Sequence, residues 1–141
     1  MKQESSYILL VEDNPADARI IIDYFKANYN VEVKHFTDDV DVLDYLCQNE
    51  IYESNVFPDI IILDMNLPKV SGLDVLKKIK TDSKLKRIPV IVFGTSSDHL
   101  EIKEVYNNYA NGYIIKPIDL DELDDVLRHI AYFWLELTTL P

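Results

Sequence analysis

Apolar and polar positions alternate along this chain in blocks of two kinds. Residues 7–11, 60–63, 88–93 and 113–115 are short, almost wholly apolar and rich in β-branched side chains. Runs of this length are too short for buried helices and suit strands covered on both faces. Residues 31–36 alternate imperfectly and carry charge, as an edge strand does. Between these runs apolar residues recur at helical spacing. Ala18, Ile21, Ile22, Phe25 and Tyr29 form one stripe, and Leu43, Leu46 and Cys47 a second. Leu73, Leu76 and Ile79 form a third, with Lys77, Lys78 and Lys80 on the outside; Ile102, Val105, Tyr106 and Tyr109 form a fourth. Leu123, Val126, Leu127, Ile130 and Trp134 form a fifth. Start signals precede them: Asn14-Pro15, Thr37 followed by Asp38 and Asp39, Gly72, and Asp119 with Glu122 as a capping box. Residues 48–57 and the charged stretch 81–87 have no convincing period and read as connections.

Five strands alternating with five helices predict an α/β fold, a parallel sheet with helices on both faces joined by right-handed crossovers. Of the two common doubly wound orders, five strands match the flavodoxin-like order 2-1-3-4-5. One domain over residues 1–141, with a core of about 7–137, accounts for the length and the 48% hydrophobic content. The net charge of -11, from 25 acids against 14 bases, argues against a general nucleic-acid or anionic-membrane surface and favours a cation as small partner. A single cysteine, Cys47, excludes an internal disulfide and a cysteine-rich zinc site. No window approaches the roughly 18 apolar residues of a membrane span. Residues 1–6 lack the apolar run of a signal peptide, so a soluble, cytoplasmic protein is expected.

The chemistry-bearing residues stand where strands end. Glu12 and Asp13 follow the first strand, Asp64 ends the third, and Lys116 precedes Pro117 after the fifth. In open α/β sheets the crevice beyond the strands' carboxyl ends is the binding region, and order 2-1-3-4-5 sets the first strand beside the third. Glu12, Asp13 and Asp64 are therefore expected at one edge. Three crowded carboxylates must take up protons or hold a cation, and Mg2+ suits an all-oxygen donor set. Aspartate can also be a nucleophile toward phosphorus, with Lys116 as a second positive centre beside the metal. A lone strand-end aspartate also reads as a helix cap or loop entry, and it is the second acidic strand end together with Lys116 that favours chemistry.

These residues resemble the receiver domains of two-component response regulators over nearly the whole chain. The matching elements are Glu12-Asp13, Asp64-Met65-Asn66-Leu67-Pro68 with Gly72, Pro89 opening the fourth strand, and residues 110–117, Ala-Asn-Gly-Tyr-Ile-Ile-Lys-Pro. The long connection before Asp59 and the ending 133–141 are similar to the receivers associated with bacterial phytochromes. The resemblance implies that Asp64 accepts phosphate from a sensor histidine kinase or a histidine phosphotransfer protein. It implies that Glu12, Asp13, Asp64 and the backbone carbonyl of Asn66 surround Mg2+, that Lys116 contacts the phosphoryl group before a cis Pro117, and that Tyr113 is the switch aromatic. Output would pass to a downstream protein target through the fourth helix, fifth strand and fifth helix. One position departs from the pattern: counting from Pro89, the family's phosphate-sensing Thr or Ser falls on Gly94, with Thr95 one residue later. Thr95 could replace it only if a bulge or strand shift turned it inward.

Two other readings stand beside the receiver. A phosphorylation-independent interaction module is favoured by Gly94. A Mg2+-dependent phosphatase would want a second acid two residues after the nucleophile, where this chain has Asn66, and a lid domain. His35, His99 and His129 have no ligand spacing and read as surface or packing residues. Lys77, Lys78, Lys80, Lys84, Lys86 and Arg87 form a basic patch beside the active edge, read as a solvated face or a dock for an acidic partner. Trp134 could anchor the last helix to its own domain or to a second subunit in a homodimer.

Overall fold

The structure, a computed structural model, describes residues 5–47, 56–67 and 71–141. Its elements run β1 Ser6–Val11, α1 Pro15–Asn28, β2 Val31–Phe36, α2 Asp39–Cys47, β3 Ile60–Asp64, α3 Gly72–Thr81, β4 Val90–Gly94, α4 His99–Asn107, β5 Gly112–Ile115 and α5 Leu120–Ala131. A short 3-10 turn, Leu85–Arg87, precedes β4, and a π-helical stretch, Tyr132–Leu137, continues α5. All strand pairs are parallel and the order is β2-β1-β3-β4-β5, as the element pattern predicts.

Successive side chains of a strand point to opposite faces, so each apolar run feeds two cores. Leu9, Val11, Ile61, Leu63, Val90 and Val92 face one side, packed with Val42, Leu46, Val75, Leu76, Ile79 and Val105 of α2, α3 and α4. Ile8, Leu10, Ile60, Ile62, Ile91 and Phe93 face the other, against Ala18, Ile21, Phe25, Leu123, Leu127 and Ile130 of α1 and α5. Burying each large aliphatic or aromatic side chain contributes about 1.5–3 kcal/mol, which makes these two layers the main source of stability. No helix among the described residues is long and apolar enough to cross a membrane.

Local signals mostly act as the sequence suggests. Asn14 Oδ1 accepts from the amides of Ala16 and Asp17, and Asp119 Oδ1 from those of Asp121 and Glu122. Helix α2 differs: Asp38, not Thr37, supplies the cap, its Oδ1 accepting from the Val40 amide at 2.7 Å. Strand β4 begins at Val90 rather than Ile88 because Pro89 has no amide hydrogen for the ladder; only its carbonyl takes part, accepting from Ile61. The stretch 81–87 is not wholly a loop, since Leu85 is buried under α3.

Lys80 is not on the outside of α3. Its ammonium is drawn inward to the carbonyls of Lys86 and Ile88 and to Asn111 Oδ1, at 3.0, 2.8 and 3.0 Å, and burial lowers its pKa to about 8. These contacts tie the end of α3 to the start of β4, which puts the basic patch at the amino ends of the strands, away from the acidic edge it was expected to flank. Pro68, residues 48–55 and the side chain of Cys47 lie outside the described residues.

Candidate functional site

Parallel pairing in register makes the acidic edge a direct consequence of the sheet. Val11 stands opposite Leu63, so the next residues, Glu12 and Asp64, emerge side by side with Asp13 one step beyond. Carboxylate oxygens of Glu12, Asp13 and Asp64 lie within 4.8 Å of one another. On the far side of β4, Gly94 pairs with Ile115, and the Lys116 amide donates to the Gly94 carbonyl at 2.8 Å. That bond aims the lysine side chain back over the acids. Its ammonium lies 2.5 Å from Glu12 Oε1, 2.9 Å from Asp17 Oδ2 and 3.7 Å from Asp64 Oδ2. Three strand ends therefore deliver the four residues picked out by the sequence to one place.

The backbone of Asn66 holds the central aspartate, its amide donating to Asp64 Oδ1 at 3.0 Å. Its side-chain amide donates to Thr95 Oγ1 at 3.1 Å. Glycine at 72 permits this loop to lie against the start of α3, because a Cβ there would sit 2.6 Å from the Asp64 carbonyl oxygen and 2.7 Å from Met65 Cα. An open cleft of about 510 Å³ covers the acids, lined by Asp13, Asn14, Asp17, Asp64, Asn66, Thr95, Lys116, Pro117 and Ile118.

Glu12 and Asp64 are 1% and 4% exposed, so their charges interact through a poorly screened medium. Burial, then a hydrogen bond to Glu12, raises the Asp64 pKa to about 6, against the lowering effect of the Asn66 amide and Lys116. Asp13 is also raised, by burial and then by its hydrogen bond and charge repulsion with Asp64. Burial alone would lower Lys116, but Glu12, Asp17 and Asp64 together hold it above the ordinary lysine value. One ammonium does not neutralise this set of carboxylates, and a group of hard oxygen donors with no nitrogen or sulfur fits a divalent cation such as Mg2+ or Mn2+.

Two contributors escaped the sequence reading. Asp17 looks like an ordinary first-turn acid that complements the helix dipole, yet it is the second partner of Lys116. The Asn14 cap turns α1 so that its first turn faces the cleft, and the spacing Asp13-Asn14-Pro15-Ala16-Asp17 was the available signal. His35 looks like a surface or packing histidine, but its Nε2 donates to the Glu12 carbonyl at 2.8 Å and braces the acidic turn from β2.

Two expectations change. The Lys116–Pro117 peptide is trans, with no cis peptide among the described residues; trans is the lower-energy form of an X–Pro bond by about 0.5–1 kcal/mol. Thr95 reaches the cleft without a bulge or strand shift, because pairing ends at Gly94 and the following residue is free of the sheet's alternation. Tyr113 is half-buried over Gly94, its hydroxyl donating to the Ser96 carbonyl at 2.8 Å and its side chain packed on the core that includes Val105 of α4.

Comparison with known proteins places the chain in a family and agrees with this fold. Residues 8–128 match the model of the response regulator receiver domain. The response regulator Rcp1 of Synechocystis sp. is 38% identical over 135 residues, 95% of this chain and 92% of that protein. The fold is similar to the crystal structure of the phosphorylated cyanobacterial phytochrome response regulator RcpA, with a TM-score of 0.90, 40% identity, and 98% of this chain and 99% of that one covered. It is also similar to the Mn2+-bound form of response regulator Rcp1, with a TM-score of 0.88, 38% identity, and 96% and 99% covered.

Proposed function

This chain belongs to the response regulator receiver family of two-component signalling, and from that premise we propose that it takes a phosphoryl group onto Asp64 from a phosphohistidine of a sensor histidine kinase or a histidine phosphotransfer protein. The observation that carries the proposal is the convergence of three carboxylates within 4.8 Å, with the Lys116 ammonium 3.7 Å from Asp64.

In this reading an Asp64 carboxylate oxygen attacks phosphorus in line as the phosphorus–nitrogen bond to the donor imidazole breaks, and the leaving ring nitrogen takes a proton from water. Asp64 has to be ionised to act as the nucleophile. The Asn66 amide on Oδ1 leaves Oδ2 as the reactive oxygen. Lys116 turns from its carboxylate partners toward the oxygens of the transferred group, where it offsets their charge. Glu12, Asp13 and Asp64, with the backbone carbonyl of Asn66, would hold Mg2+. Bound there, the ion supplies positive charge that allows an anionic phosphoryl donor to approach an acidic edge.

The protein is then a stoichiometric acceptor rather than a turnover enzyme. Asn66 supports this, since it stands where a phosphatase would place its second acid. The modified form would signal to a downstream protein by shifting a population between two states. Likeness to RcpA and Rcp1 supports a phytochrome-linked kinase as the donor class.

The test is intact-mass measurement after incubation with acetyl phosphate and Mg2+. The wild-type chain is expected to gain the mass of one phosphoryl group, and Asp64→Asn or excess chelator is expected to abolish the gain. A wild-type chain that gains nothing would overturn the acceptor reading in favour of an interaction module. Continuous release of phosphate without adduct would favour a hydrolase.

A further inference from the structure

With Tyr113 seated as it is, position 94 has room only for glycine, because the ring already fills its side-chain space. A Cβ at 94 would lie 2.1 Å from the Tyr113 hydroxyl oxygen, 2.5 Å from Cζ and 2.7 Å from Cε2. The residue is held through its ring hydroxyl and its backbone. Its hydroxyl donates to the Ser96 carbonyl at 2.8 Å, and the Tyr113 amide donates to the Tyr106 hydroxyl at 3.0 Å. The side chain also packs on the core beneath α3 and α4. Glycine and inward tyrosine are thus two halves of one packing solution: a hydroxyl-bearing residue at 94 would evict the ring, and the seated ring excludes such a residue.

Thr95 carries the nearest hydroxyl. Its Oγ1 accepts from Asn66 Nδ2 at 3.1 Å, two residues past Asp64, and both side chains line the cleft with Asp64 and Lys116. A hydroxyl that accepts from an amide still has its own proton to donate, and an anionic oxygen is its strongest available acceptor. The same Asn66 secures Asp64 through its backbone and Thr95 through its side chain, so a charge added at Asp64 acts directly on the loop between β4 and α4.

From this geometry we infer that Thr95 donates to the phosphoryl group on Asp64, and that Tyr113 is a fixed wall that keeps the same seat whether or not Asp64 is modified. This deepens the acceptor reading and rests on it. The signal then leaves through Asn66, Thr95 and the start of α4, not through rotation of the aromatic ring.

Beryllofluoride with Mg2+, added to the full chain as a phosphoryl mimic, tests both parts. Calorimetric titration is expected to show Thr95→Val binding about ten- to a hundredfold more weakly than wild type, as for a lost hydrogen bond to a charged group, with Thr95→Ser within about threefold. Ring resonances of Tyr113 in the wild type are expected to keep their positions on saturation while amides of residues 95–100 shift. Wild-type-like binding by Thr95→Val, or movement of the Tyr113 ring into solvent on saturation, would overturn the inference and leave the acceptor reading intact. A wild-type chain that does not bind beryllofluoride would overturn the acceptor reading and this inference with it.

Discussion

At the scale of single residues the balance of charge at the strand ends decides behaviour. Asp64 is almost fully buried, and its pKa is raised to about 6 by burial and by Glu12. Between about pH 4 and pH 6 the metal-free folded protein therefore holds a proton that the unfolded chain has released. The stability tied to that proton is present below the ordinary aspartate value and is lost as pH rises through 6. Asp64→Asn removes the buried charge and is expected to stabilise the metal-free protein at pH 7.5 by about 1–3 kcal/mol, with little effect at pH 4.5. Thermal unfolding in chelator at the two values checks this, and equal or lower stability of the variant at pH 7.5 would contradict it. Asp64 was legible in sequence because a carboxylate ending an apolar run is unusual. Asp17 was not, because an acid in a helix's first turn has an ordinary explanation, and only the direction of α1 converts it into a partner of Lys116.

At the scale of elements, the alternation of apolar runs and helical stripes was enough to assign the five strands and five α-helices among the described residues, but not the 3-10 turn Leu85–Arg87. It located the ends less well. Strand β4 is shortened by the missing amide of Pro89, and Asp38 takes the capping role assigned to Thr37 because its carboxylate reaches the second amide of α2. Helix α3 shows how an element can set a site without contributing a reactive group. Its first residue, Gly72, touches the backbone that carries Asp64, and its amide donates to the Met65 carbonyl at 3.2 Å. Gly72→Ala would force a methyl group against main-chain atoms that cannot swing aside. A loss of about 1–3 kcal/mol is expected in urea unfolding, together with slower adduct formation from acetyl phosphate. A variant as stable and as reactive as wild type would show that the loop has slack absent from this structure.

At the scale of the whole molecule, acidic residues exceed basic ones by 11, and part of that excess is concentrated in a cleft where repulsion is poorly screened. A divalent cation should therefore stabilise the native state by mass action, by about 2.7 kcal/mol when its concentration is a hundred times Kd. Because bound metal requires ionised Asp64 and Asp13, both raised, affinity for Mg2+ is expected to fall as pH drops from 7.5 through about 6. Titration at pH 7.5 and 5.5 measures this, and an affinity unchanged by pH would mean that these carboxylates are not ligands. The sequence by itself determined the order of elements, the parallel sheet and the identities of Glu12, Asp13, Asp64 and Lys116, because periodicity and the cost of burying charge are local properties that a linear string records. Only the tertiary structure decided that Asp17 and His35 support the site, that Lys80 turns inward, and that Tyr113 occupies the space of a residue 94 side chain while Thr95 faces the cleft. Each of these depends on which atoms from distant segments compete for the same volume or the same hydrogen-bonding partner, and that competition exists only once the chain is packed.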